Sequence, residues 1–396
     1  MIFARRVPPA HSPVRLGALA QGWVTTAGIG NGDAVDRLAR ALRDIFGAET
    51  AIPTDSGTSA LALAIRIALQ SRSTRAVALP AYCCYDVATA AAAVDVPVFL
   101  YDIDPVTLGP DWDSLERVLR GGAGAAVVAH LFGLPVDLTR AEAMCRAAGA
   151  IMIEDAAQGA GGRWQGRLLG SHGLLSVLSF GRGKGITGGT GGALLARGVG
   201  AAKAVGASSR LGPAQGGSTA LFAATAQWLL GRPSLYGLPS ALPFLRLGET
   251  VYRPPHPLGS IALGPAVVAL DSLQRLEDET RVRRAHARFV TERTPGLTAP
   301  QPLPGADAGY LRFPFLLDAD ASTDEAAMLG ITRGYPLALV DLPELAGRCR
   351  NASDAFPGAR LLAARLVTAP THSRLTDRDL ERVVAWIMRH HPKALT

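Results

Sequence analysis

Leu178-Ser179-Phe180-Gly181-Arg182-Gly183-Lys184-Gly185-Ile186-Thr187, followed by a glycine-rich exit into Gly191-Gly192-Ala193-Leu194-Leu195, decides what kind of chain this is. An apolar strand is predicted to end at Ser179-Phe180, and the small residues after it let backbone approach a ligand closely around one ammonium, that of Lys184. The chain has only three lysines, Lys184, Lys203 and Lys393; every other fixed cation is an arginine. Lysine can lose its proton and attack a carbonyl, which arginine cannot do under protein conditions. Any amine chemistry in this protein therefore points to Lys184.

Working outward, apolar runs without alternation predict strands at residues 76–79, 96–100, 125–129, 150–153, 174–178 and 193–195. Helical patterns lie between most of them, notably at 85–94, 112–120 and 138–148. This alternation argues for an α/β fold with a mostly parallel sheet covered on both faces. Ligands in such sheets sit beyond the carboxyl ends of the strands. Asp155, in Glu154-Asp155-Ala156-Ala157-Gln158, falls on that rim. Earlier, residues 33–46 place Val35, Leu38, Leu42 and Ile45 at helical spacing behind a capping Asp33. A short strand near 51–53 then leads into Ser56-Gly57-Thr58-Ser59, which opens a helix running through Ala68. Small hydroxyl residues and a glycine at a strand-to-helix turn leave several N–H groups aimed at one point, either as an anion seat or as an ordinary helix start.

At 396 residues, 48% hydrophobic and 18% charged, the chain is long enough for a large core and for two domains. The expected division is a cofactor-binding part, 1–255, and a smaller α+β part, 256–396, entered by a long helix from about Pro265 to Arg288. Residues 205–260 read as irregular, with an apolar run from Ala220 to Leu230 suited to a buried insertion, a subunit interface or a membrane-surface patch; none reaches membrane-spanning length. A strand at 311–316 and helices near 324–329 and 377–388 complete the expected C-terminal part. Cys83, Cys84, Cys145 and Cys349 lack metal-ligand spacing, so neither a disulfide framework nor a metal site is expected, and the cytoplasm is the expected compartment. The short apolar segment at the N-terminus does not fit a signal peptide. The net charge of +7 comes from scattered arginines and suits an anionic small molecule better than nucleic acid. The cluster from Arg281 to Arg288 is expected to be a solvated helix face.

Ser56-Gly57-Thr58-Ser59, Asp155, Gln158, Ser179 and Lys184 together fit pyridoxal 5'-phosphate. That cofactor needs an anion cradle, a lysine for its aldehyde, and a carboxylate that keeps its pyridine nitrogen protonated. The chain here resembles the sugar aminotransferases of the DegT/DnrJ/EryC1/StrS family, pyridoxal-phosphate enzymes of fold type I. The likeness runs through Ser56-Gly57-Thr58-Ser59-Ala60-Leu61, Leu79-Pro80-Ala81-Tyr82, Tyr101-Asp102-Ile103-Asp104-Pro105, His130-Leu131-Phe132-Gly133, Glu154 to Gln158, Ser179-Phe180 with Lys184, and Pro370-Thr371-His372. It implies that Lys184 binds the cofactor aldehyde, Asp155 pairs with the pyridine nitrogen, Gln158 lies near the ring hydroxyl, and Gly57, Thr58, Ser59 and Ser179 hold the phosphate. It also implies a homodimer with its active sites at the interface.

The chain departs from the family pattern at four places. The aromatic residue that stacks on the ring is replaced by Cys84, leaving Tyr82 or Tyr85 as substitutes. Gly185 follows the lysine where Asn is usual, Thr190 stands in place of a Glu, and no Asn-x-Arg element precedes residue 265. The resemblance implies a glutamate or glutamine donor and a keto acceptor on a nucleotide-activated sugar, for polysaccharide or natural-product biosynthesis. A cyclitol or other ketone, or elimination or condensation on an amino acid, is the alternative. His130 is expected to be structural rather than a base.

Overall fold

The computed structural model describes residues 5–29, 32–70, 76–208, 211–242, 250–317 and 323–391. In chain order the first part comprises α1 (Leu16–Thr26), α2 (Ala34–Phe46), β1 (Thr50–Thr54), α3 (Gly57–Leu69), β2 (Ala76–Pro80), α4 (Asp86–Ala93), β3 (Val98–Tyr101), α5 (Trp112–Arg120), β4 (Ala123–Ala129), α6 (Leu138–Ala147), β5 (Ile151–Asp155), β6 (Arg163–Trp164), β7 (Arg167–Leu168), β8 (Leu175–Ser179) and β9 (Gly192–Ala196). There follow α7 (Val199–Ser208), α8 (Gly217–Leu230), α9 (Gly237–Ser240), α10 (Leu263–Leu273), α11 (Leu276–Arg293), β10 (Ala306–Asp307), β11 (Phe313–Leu316), α12 (Asp324–Met328), β12 (Thr332–Arg333), α13 (Pro357–Arg365), β13 (Leu366–Ala369) and α14 (Asp377–His390).

Seven strands form one sheet in the order β1-β9-β8-β5-β4-β2-β3. Five of them, from β8 to β3, are mutually parallel, and their apolar runs are buried on both faces, as helix-covered parallel strands require. The exception is β9, which runs antiparallel between β1 and β8 with Thr50 opposite Ala196 and Ser179 opposite Gly192. This wedge brings the start of α3 beside the end of β8. A three-stranded antiparallel sheet, β11-β13-β12, packs Phe313 and Phe315 against Val290 of α11 and Val383, Trp386 and Ile387 of α14 as a second apolar cluster. Its closing helix α14 starts at a reciprocal cap between Thr376 and Asp379, each side chain accepting the other's backbone N–H.

Four expectations are corrected. The helix expected from 265 to 288 is two helices, α10 and α11, broken at Gln274–Arg275, where the Arg275 side chain turns to Asp271 and the Pro13 carbonyl. The core face of α2 is Ala34, Leu38, Leu42 and Phe46; Ile45 is exposed, and Asp33 stands at the cap position without a side-chain cap bond. The 205–260 segment, apart from residues 209–210 and 243–249 outside the described set, contains the regular helix α8, which packs Leu221 and Ala224 on Leu19 and Val268. The arginine cluster of α11 is only partly a solvated face: Arg281 and Arg288 are exposed, whereas the two arginines between them turn inward. Arg283 is buried and donates to the His11 carbonyl, and Arg284 donates to Ala308 and Gly161 carbonyls, because these backbone acceptors lie under the helix. Among the described residues no helix is long and apolar enough to cross a membrane.

Candidate functional site

The rim where β5 and β8 end and α3 begins gathers most of the residues singled out in the sequence. Ser56 caps α3 by accepting the Ser59 N–H at 3.0 Å, and its hydroxyl also bonds the Ser59 hydroxyl at 3.0 Å. Ser59 is thereby spent on the cap and is wholly buried. The N–H groups of Gly57 and Thr58, in the first turn, have no intrahelical acceptor, which is the arrangement that can serve as an anion seat. Contact explains the glycine: a Cβ on Gly57 would lie 2.7 Å from Ser179 Cβ and 2.8 Å from Ser179 Oγ. Behind it, a Cβ on Gly192 would lie 2.6 Å from the Gly57 nitrogen. Backbone thus abuts backbone, and Ser179 Oγ stands against the helix start. Thr190 closes the same corner by donating its hydroxyl to the Asp55 carbonyl at 2.9 Å, a structural tie in place of a carboxylate.

Lys184 sits in the turn that follows β8, half-buried. The N-terminal segment fixes this turn. Ser12 donates its hydroxyl to the Lys184 carbonyl at 2.9 Å, and Gly183, at φ +77°, lies so close to Ala10 that a Cβ there would meet the alanine methyl at 2.9 Å. The segment is itself stitched down by cationic or imidazole donors onto its carbonyls: His372 to Pro8, Arg312 to Pro9, Arg283 to His11 and Arg275 to Pro13. None of this was legible locally, since the acceptors are main-chain groups and the donors lie far along the chain.

Asp155, the last residue of β5, is buried and accepts the Ala157 N–H at 3.0 Å. Burial pushes its carboxyl above the usual carboxylate range, opposed by that N–H and by the positive charge of Lys184. A cationic N–H placed against Asp155 would hold it ionised, which is the pairing a protonated pyridine offers. The neighbouring Glu154 points elsewhere, accepting from His130 Nε2 at 3.2 Å and from the Gly170 and His172 N–H groups. His130 accepts the Val136 N–H on Nδ1, so the ring is a buried structural link, as expected.

The remaining candidates meet residues that the sequence did not single out for the site. Gln158 accepts the Phe132 N–H at 2.9 Å and donates to the Tyr335 hydroxyl. Tyr82 is wholly buried, and its hydroxyl accepts the Tyr335 N–H at 2.9 Å; Tyr85 likewise accepts the Leu337 N–H at 3.0 Å. Cys84 lies within reach of the Lys184 charge, and its thiol, pushed up to about 12 by burial and by Asp86, stays protonated. Tyr335 follows β12 and stacks on Phe132 with centroids 5.8 Å apart. No local motif marks it, because the fold alone carries it to the rim. An anion seat, an amine and a buried carboxylate on one rim fit a phosphorylated aldehyde whose ring bears a basic nitrogen. Among the described residues no cluster could hold a metal ion.

A sequence model of the DegT/DnrJ/EryC1/StrS aminotransferase family matches residues 16–218. The L-glutamine:2-deoxy-scyllo-inosose aminotransferase of Streptomyces kanamyceticus is 35% identical over 160 residues, 40% of this chain and 37% of that protein. The 3-amino-5-hydroxybenzoate synthase of Amycolatopsis mediterranei (strain S699) is 30% identical over 167 residues, 41% of this chain and 42% of that one. The chain therefore matches about two fifths of the length of these curated relatives. Among solved structures, AtS13 from Actinomadura melliaura superposes with a TM-score of 0.76 at 25% identity, covering 98% of this chain and 99% of that one.

Proposed function

The protein belongs to the DegT/DnrJ/EryC1/StrS aminotransferase family, whose model spans just over half of it, and from that premise we propose a pyridoxal-phosphate-dependent aminotransferase acting on a nucleotide-activated keto sugar, with glutamine or glutamate as donor. The observation that carries the proposal is the convergence of Lys184, Asp155 and the Gly57–Ser179 seat on one rim. Bound pyridoxal phosphate supplies an aldehyde that captures amines and a ring that withdraws electrons from the carbon beside the captured nitrogen. The Gly57 and Thr58 N–H groups and the Ser179 hydroxyl hold the phosphate. Asp155 keeps the ring nitrogen protonated through a charge-assisted hydrogen bond. Lys184 Nζ would anchor the aldehyde and, as the free amine, would take the proton from the donor's alpha carbon and deliver it to the former aldehyde carbon on the other side of the nitrogen, as a general base and then acid. The same groups serve the acceptor in reverse order. The acceptor assignment is supported by the +7 net charge, which suits a diphosphate-bearing substrate.

A second reading, a cyclitol ketone as acceptor, is favoured by the relative that acts on an inosose. We extend the proposal to a cytoplasmic homodimer with its sites at the interface, supported by the exposed apolar side chains Trp23 and Val24 on α1 and Phe222 and Leu229 on α8. Borohydride reduction of the yellow protein followed by peptide mapping tests the cofactor anchor: the label should lie on Lys184, and a label on Lys203 or Lys393 overturns the assignment. Glutamine or glutamate alone should bleach the cofactor's absorption band, and one class of keto acceptor should restore it. Restoration by keto sugars linked to nucleotides supports the first reading, and restoration by inososes alone supports the second. No spectral response to any amino acid removes transamination.

A further inference from the structure

We infer that Tyr335 is a positioning residue that fixes the amide of Gln158 with its nitrogen end toward the cofactor's ring hydroxyl. This rests on the proposed reading of the site and adds to it a residue from the far end of the chain. A backbone N–H can only donate, so the Phe132 N–H, 2.9 Å from Gln158, identifies the amide oxygen without ambiguity. The amide nitrogen is then the end that donates to the Tyr335 hydroxyl, and one N–H is left for a ligand.

Tyr335 has little freedom. Its own N–H donates to the Tyr82 hydroxyl at 2.9 Å, its ring lies 5.3 Å from that of Tyr82 and 5.8 Å from that of Phe132, and it is 8% exposed. Its hydroxyl is thus set before any ligand arrives, and it sets Gln158 in turn. An amide N–H held against the ring oxygen favours the oxygen's anionic form and makes the bound cofactor a stronger acid. The charged or titratable groups acting here are Lys184, His130 and Glu154 on Asp155, and Tyr82, Cys83, Cys84 and Arg312 on Tyr335. Losing the Tyr335 hydroxyl frees the amide to turn and weakens that N–H contact.

The experiment titrates the absorption band of the cofactor-loaded wild type, Tyr335→Phe, Gln158→Leu, the double variant and Tyr85→Phe. Tyr335→Phe keeps every ring contact and removes only the hydroxyl. The midpoint should rise by about 0.5–1 pH unit in Tyr335→Phe, the size that one neutral hydrogen bond supports. Gln158→Leu should raise it at least as far, and the double variant no further than Gln158→Leu alone. Tyr85→Phe is the control for a merely structural role, because the phenyl ring keeps any stacking contact that Tyr85 makes and only the hydroxyl is lost. Its hydroxyl accepts the Leu337 N–H at 3.0 Å, two residues along the same loop, and no bond joins it to Gln158. That variant should leave the midpoint in place. A Tyr335→Phe midpoint within about 0.1 pH unit of wild type, or an equal rise in Tyr85→Phe, overturns the inference. Should the wild type itself take up no cofactor on Lys184, all five proteins stay colourless together; that pattern overturns the reading of the site, and the inference with it.

Discussion

Gly57→Ala tests the phosphate seat through a contact whose size is known. The new methyl would sit 2.7 Å from Ser179 Cβ and 2.8 Å from Ser179 Oγ, whereas carbon atoms settle at about 3.5–4.0 Å. The serine must therefore retreat by roughly 1 Å. Its backbone cannot follow, because Ser179 is paired opposite Gly192 in the sheet, so the hydroxyl rotates off the seat. Overpacking costs about 1–3 kcal/mol, and the better helix propensity of alanine returns up to about 1 kcal/mol. The apo variant should thus melt only a few degrees below wild type. Cofactor affinity should suffer more, since a hydrogen bond to a charged phosphate is worth about 1.5–3 kcal/mol, or roughly 10- to 100-fold in Kd. Titration of both apo proteins with pyridoxal phosphate, followed by absorption, measures the affinity, and calorimetry measures the melting. A Gly57→Ala protein that folds and holds the cofactor within about twofold of wild type refutes the placement of the phosphate between α3 and Ser179.

Asp155→Asn should retain cofactor on its phosphate and lysine anchors yet lose at least about 10²-fold in single-turnover rate, as removal of one preorganised partner of developing charge does; rapid-mixing absorption measures it, and a near-normal rate would make Asp155 a mere turn residue. A pH prediction comes from His11 and His372, pushed down to about 2 and about 3, by burial first and by neighbouring arginines, with the Pro8 carbonyl opposing at His372. Both stay neutral when folded, while the unfolded chain protonates them near 6.5, so stability is fullest above that pH and falls as the pH drops. The slope from each is about 1.4 kcal/mol per pH unit; urea unfolding between pH 7 and 5 should show it, and His372→Gln should remove its share.

Much of the fold was legible because burial on both faces leaves β2 and β4 as uninterrupted apolar runs and β5 and β8 as apolar runs that turn polar at their ends or at one buried serine, with amphipathic helices such as α5 between them. The direction of β9 was not, since Ala193-Leu194-Leu195 reads alike whichever way the strand runs. Lys184, Asp155 and Ser179 were legible as strand-end chemistry in glycine-rich or acidic surroundings. Tyr335 and Ser12 were not, because each reaches the site through tertiary structure and carries no local signature, and Phe132, although inside a quoted motif, gave no sign of its contact with Gln158. The arginines of α11 misled for a related reason: charge predicts solvent, but Arg283 found a carbonyl inside the protein.

The antiparallel wedge β9 bears on how the chain acquires its site in time. Thr50 has to wait for Ala196, and Ser56 for its bridge to Gly191, before α3 can abut Ser179. Contacts so distant in sequence carry a large loop-closure entropy and form slowly. The N-terminal stitching of the Lys184 turn reaches farther still, from Pro8 to His372. A nascent or partly refolded chain would thus hold the parallel strands β2 to β5 and still have no seat for an anion. Capture of pyridoxal phosphate would then mark the end of folding, and binding only the finished sheet, the cofactor would pull that last pairing to completion by mass action.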